Sequence, residues 1–249
     1  MTTVNAAPIA GLPAPVQNAL DNLRDGPRQI RAVLDDYRQR VADESLQASH
    51  DTGLTSEGRE RRMAAIREQA GQQAGAALDR VRASLDADHE RVRRNLERNW
   101  PSPASGLEAL LTRQAAWARS RSLLESSLGP RELLAETTDI EQLHSLREEL
   151  PTWLRANTGR VRGRVTTHMI DERLAEVSGE HASAALTAAQ AADAERAACE
   201  PLLKAVGAEV RNLADRSAFM NAAIAAEMER QRVLAGGELP MGDDGGNAA

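Results

Sequence analysis

Cys199 is the one thiol in the sequence, and five histidines accompany it: His50, His89, His144, His168 and His181. A nucleophilic cysteine needs a neighbouring base and a lowered pKa. Cys199 instead stands beside Glu200 in an alanine-rich stretch, and that negative charge disfavours the thiolate. A single cysteine also excludes an internal disulfide and fits a reducing compartment. Zinc hydrolases of the common kind need two histidines one helical turn apart with a glutamate between them. No two of the five stand four apart. Phosphate-cradling loops need glycines clustered at a strand-to-helix turn, whereas Gly71 and Gly75 fall inside a helical pattern with no strand before it. Adjacent carboxylates such as Asp35-Asp36, Glu148-Glu149 and Asp171-Glu172 lie on polar stretches, where water keeps them ordinary. Acid–base work needs a pocket that shifts their pKa. The sequence therefore offers no catalytic residue, no metal ligands and no cofactor site, and the expectation is a protein that is not an enzyme.

One charge pattern does stand out. No acidic residue lies between Glu149 and Asp171, while Arg155, Arg160, Arg162 and Arg164 do. In a chain of formal net charge −6, this is a local basic patch. It coincides with Gly159 and Gly163, which loosen the helical pattern there. Two readings stay open: an arginine-rich surface connection, or a contact for an acidic protein surface or nucleic acid. Net acidity opposes general nucleic-acid affinity, and no aromatic lies inside the patch to stack a base. The cluster Arg91, Arg93, Arg94 and Arg98 falls near a helix C-terminus, where positive charge suits the helix dipole.

Positioning these side chains falls to helices. The 249 residues contain five aromatics, Tyr37, Trp100, Trp117, Trp153 and Phe219. Aromatics bury roughly 150–250 Å² each and dominate most cores. Their scarcity leaves burial to Leu, Val, Ile, Met and much Ala, which suits helices packed edge to edge. No run of about 18 apolar residues occurs, so no membrane span is expected. Residues 1–15 lack the apolar core of a signal peptide and read as a flexible arm.

From residue 16 the pattern is helical. Val16, Leu20 and Leu23 lead to an expected break at Asp25-Gly26-Pro27, and a second helix carries Ile30, Val33, Leu34, Tyr37 and Val41. After the turn His50-Asp51-Thr52-Gly53, Thr55 or Ser56 caps a long helix expected over 55–99, ended by Pro101 and Pro103. Its stripe is Met63, Ile66, Ala70, Ala74, Ala77, Val81, Leu85, His89, Val92 and Leu96. The mean step, about 3.67 residues, predicts a nearly straight seam. Residues 101–150 read as shorter helices. One over 104–128 shows Leu107, Leu110, Leu111, Trp117, Leu124 and Leu128 as its stripe. Another, capped by Thr138 with Glu141, is interrupted by Pro151. Over 151–235 a long helical region follows. Val161 to Val165 is a possible extended piece. The stripe is clearer from Ile170 through His181, Cys199 and Met220 to Ile224, with a kink expected at Pro201. Gly236-Gly237 ends it, and 236–249 reads as a disordered acidic tail.

The stretch Leu54-Thr55-Ser56-Glu57-Gly58-Arg59, opening a long Arg/Ala/Glu helix, resembles one that recurs in small helical proteins of tailed actinobacterial bacteriophages. The likeness covers roughly residues 27–99. Those proteins belong to virion-structure genes, and several look like scaffolding or head-assembly proteins. The resemblance implies a non-enzymatic assembly role, without catalytic residues.

Together these readings predict an all-α protein of long amphipathic helices with coiled-coil or elongated-bundle character and disordered termini. A narrow apolar stripe on so long a helix needs a partner surface. The expected function is structural assembly through helix–helix contacts, with further copies of the chain or another helical or capsid protein. The alternative is a nucleic-acid-associated protein using Arg155 to Arg164. The expected location is the cytoplasm, or the virion if the chain is phage-encoded.

Overall fold

The computed structural model describes residues 7–126, 128–157, 165–211 and 218–236, and every regular element among them is an α-helix. In chain order these are α1 (Ala14–His50), α2 (Ser56–Asn99), α3 (Leu107–Glu125), α4 (Pro130–Glu136), α5 (Ile140–Ala156), α6 (Thr167–Ser178), α7 (Glu180–Val210) and α8 (Ala218–Leu234). The protein is all-α. No helix of the described residues is long and apolar enough to cross a membrane.

Local chemistry explains most of the boundaries. Thr55 Oγ1 accepts the Gly58 N–H at 3.1 Å and caps α2, satisfying one of the donors a helix start leaves free. Asp139, rather than Thr138, caps α5 by accepting the Glu141 N–H at 3.1 Å. Thr166 caps α6 through the Met169 N–H. Gly179, at φ +105°, separates α6 from α7. The stripe read as continuous from Ile170 is therefore broken there, because a residue in that conformation cannot carry the helix on.

Two prolines read as interruptions lie inside helices. Pro27 sits within α1 and Pro151 within α5. Each removes one backbone hydrogen bond, at a cost of roughly 3 kcal/mol. Burial beside each proline outweighs that cost. Leu23, Ile30 and Leu34 flank Pro27 with no exposed surface, and Leu143, Leu146 and Leu150 precede Pro151 in the same condition. Burying a leucine contributes roughly 1.5–3 kcal/mol. Pro201 likewise lies within α7.

The chain divides into two compact units, each drawn from separate stretches. The first comprises residues 1–14 and 93–189. Its core is leucine-rich: Leu124, Leu133, Leu134, Leu143, Leu146 and Leu150, closed by Ile170 and Leu174. All three tryptophans, Trp100, Trp117 and Trp153, pack at the edge of this core. Near its start, Gly11 at φ +78° allows a turn in which the Leu12 N–H reaches the Ile9 carbonyl.

The second unit comprises residues 15–92 and 190–249. Here α1 contributes leucine and isoleucine, while the adjoining parts of α2 and α7 contribute many alanines. Small residues let backbones come close. A methyl group on Gly26 would stand 2.8 Å from Cys199 Sγ and 2.9 Å from a Leu85 methyl. One on Gly71 would stand 2.9 Å from the Val210 carbonyl oxygen. Gly26 therefore marks a close helix contact, not the end of a helix. The expected tail, 236–249, lies outside the described residues from 237 onward, as does the possible extended piece Val161 to Arg164.

Candidate interaction faces

Of the basic patch, Arg155 is described, and Arg160, Arg162 and Arg164 lie outside the described residues. Arg155 is exposed in the last turn of α5, where its charge suits the helix dipole, and it donates to Thr152 Oγ1 at 3.3 Å.

The single cysteine is sealed. Cys199 has no exposed surface, and burial followed by the nearby Glu195 pushes its thiol up to about 11. Two histidines expected on apolar seams are placed differently. His89 is half-buried and its Nε2 meets Asp193 Oδ1 at 2.6 Å. His181 is exposed, and Ala182 takes the inward position beside it. His144 is buried on α5, and burial lowers its pKa. Its Nε2, with Arg113 Nε and Glu141 Oε2, finds no hydrogen-bond partner among the described residues. No group of three or more His, Cys, Asp or Glu among those residues is placed to hold a metal ion.

Several charges are spent on fixing helices inside the second unit. Arg38 donates from Nε and Nη2 to the two oxygens of Glu209, at 2.6 and 2.7 Å. Asp88, buried on α2, accepts from Asn22 Nδ2 at 3.3 Å and from Arg91 at 2.8 Å. Arg196 bridges Asp86 and Glu200, and Arg230 ties α8 to Glu195 of α7. Polar groups buried along a seam favour one register over its neighbours. An open groove of about 520 Å³ runs between α1 and α2, lined by four alanines and Val33 with Asp36, Tyr37, Arg40, Gln73 and Arg80.

The unusual feature is which residues face water. In α3 the inward positions are Ala109, Ala116, Ser120 and Leu124. Leu107, Leu110, Leu111 and Leu123 are exposed, Leu107 by 74%. Helix α8 has the same inversion. Ala226 is buried, while Met220, Ile224 and Met228, spaced four apart on one face, are 67%, 62% and 65% exposed. Each outward leucine, isoleucine or methionine forgoes part of the roughly 1.5–3 kcal/mol that full burial contributes. Exposed apolar side chains grouped in this way mark interaction sites. The sequence pattern places Leu107, Leu110, Leu111, Met220 and Ile224 on apolar stripes, yet the structure turns them to water. The small residues Ala109, Ala116 and Ser120, one helical face away, were the signal of the opposite orientation.

No protein-family model matches the chain, and no curated protein and no solved structure matches it either.

Proposed function

We propose that this chain is a non-enzymatic assembly protein that works through helix–helix contacts, with further copies of itself as the first partner. The observation that carries the reading is the inversion on α3 and α8, where Leu107, Leu110, Leu111, Met220, Ile224 and Met228 point to water while the inward positions are mostly small. Two such faces on one chain give each copy more than one place to bind, which is what an assembling subunit needs. The ion pairs within the second unit support the same role for α8, because they hold the helices of that unit in fixed registers and so keep its exposed face in shape. The finer form of the reading is a scaffolding or other structural part in the assembly of a phage head or virion, as the likeness of the Leu54–Arg59 stretch implies.

The test is the solution mass of the intact chain over a wide concentration range, with Leu111→Glu and Ile224→Glu as variants. Reversible association of the parent is expected. Each variant should weaken it, with helicity by circular dichroism unchanged, since both side chains already face water. A parent that stays monomeric, or variants that associate as before, would overturn the reading.

A further inference from the structure

We propose that α3 is a self-pairing helix: two copies of the chain join through their α3 helices, antiparallel, about a two-fold axis near Gln114. The inference rests on the assembly reading and names the partner and register of one of its faces.

The exposed face of α3 is asymmetric along its length. Its N-terminal half carries Leu107 and Leu111, and its C-terminal half carries Ala118 and Ser122, with Gln114 and Ala115 between. Residues 107, 111, 114, 118 and 122 follow steps of four and three, the spacing that keeps one seam turned toward a partner helix, and Arg121 and Glu125 pair with each other at its C-terminal margin. A parallel pair would set leucine against leucine at one end and leave small residues facing a gap at the other. An antiparallel pair sets Leu111 of each copy over Ala118 of the other, and Leu107 over Ser122. Large side chains then fill the space that small ones leave at each end of the contact.

Charge selects the same arrangement. Glu108 and Arg119 are both exposed, and neither forms an ion pair with any described residue. On a helix of 3.6 residues per turn they lie on the same flank of the seam, eleven positions apart. A two-fold antiparallel pair brings like flanks together, so Glu108 of each copy meets Arg119 of the other, twice per dimer. In the parallel pair, each would instead sit level with its own kind. Isologous contacts of this sort are the commonest in homo-oligomers. A contact of one 19-residue helix per copy is about 28 Å long. It falls among the smaller interfaces, so the dimer should form and dissociate with concentration.

The experiment uses the full chain carrying Gln114→Cys or Leu107→Cys, treated with a short bis-maleimide, since the native Cys199 is buried. In the antiparallel pair the two 114 positions meet at the axis, whereas the two 107 positions stand roughly 20 Å apart. The expected result is efficient dimer crosslinking for Gln114→Cys and little for Leu107→Cys. A second arm reverses charge: Glu108→Arg and Arg119→Glu should each weaken the dimer several-fold, and the double variant should restore it. Equal crosslinking at both positions means a parallel pair and overturns the proposal. Association without crosslinking at either position, or a double variant weaker than both singles, also overturns it while leaving the assembly reading standing through another face. A chain with no association at all removes both.

Discussion

Arg38 and Glu209 stand 171 positions apart in the chain and meet in a two-pronged ion pair at 2.6 and 2.7 Å. Glu209 is almost fully buried, while the Arg38 side chain keeps 35% of its surface open to water. This pair locks the middle of α1 to the end of α7.

Breaking that lock is expected to cost about 2 kcal/mol. Removing one partner of a fully buried pair costs roughly 3–5 kcal/mol, and the partial exposure of Arg38 reduces that figure. The loss should come mainly from stranding Glu209, so Arg38→Met should destabilise more than the double variant Arg38→Met/Glu209→Met. Urea unfolding of the four chains of this cycle measures it.

Glycine substitutions in α1 and α2 should have opposite signs. Gly26→Ala places a methyl group 2.8 Å from Cys199 Sγ, and overpacking of this kind costs roughly 1–3 kcal/mol. Gly75→Ala meets nothing within 4 Å, and it should stabilise α2 by about 0.5–1 kcal/mol through helix propensity alone. Thermal unfolding midpoints of the two variants test the contrast.

Cys199 should be chemically silent in the native protein. Its thiol is pushed up to about 11 by burial and by Glu195, and the thiolate is the reactive form. Ellman's reagent at pH 8 should label it slowly, and at once after denaturation. Rapid native labelling would contradict the packing of Cys199 against Gly26.

Acid should weaken the first unit through His144. Burial is the largest influence and lowers its pKa; Arg113 and Arg147 lower it further, while Glu141 and Glu148 oppose them. The unfolded chain, with an imidazole pKa of about 6.5, then binds the proton more readily than the folded one. The stability contribution is full above that value and is lost as pH falls below it. The melting temperature should drop from pH 7 to pH 5 more steeply in the parent than in His144→Gln.

How much of this was legible in the sequence depended on whether a decision was local. Thr55 and Pro101 bracket α2, and the structure places it at Ser56–Asn99. The all-α class followed from scarce aromatics and helical spacing. Gly26-Pro27 misled because its local meaning is a break, whereas its actual role depends on Leu85 and Cys199, far away in sequence. Likewise Leu107 and Leu111 read as core because periodicity identifies an apolar face without saying which face turns inward. When a second face of small residues exists, as with Ala109, Ala116 and Ser120, the smaller one can win by allowing closer approach. Gly179 escaped the sequence reading because Leu174, Val177, His181 and Ala184 keep helical spacing across it.

The claim that α3 and α8 are contact faces is tested most directly by hydrogen–deuterium exchange of the intact chain at low and high concentration. The account predicts slower exchange at high concentration across 107–125 and 218–234, with α5 and α6 unchanged. Protection that stays the same throughout, or rises in α5 and α6 alone, would contradict it.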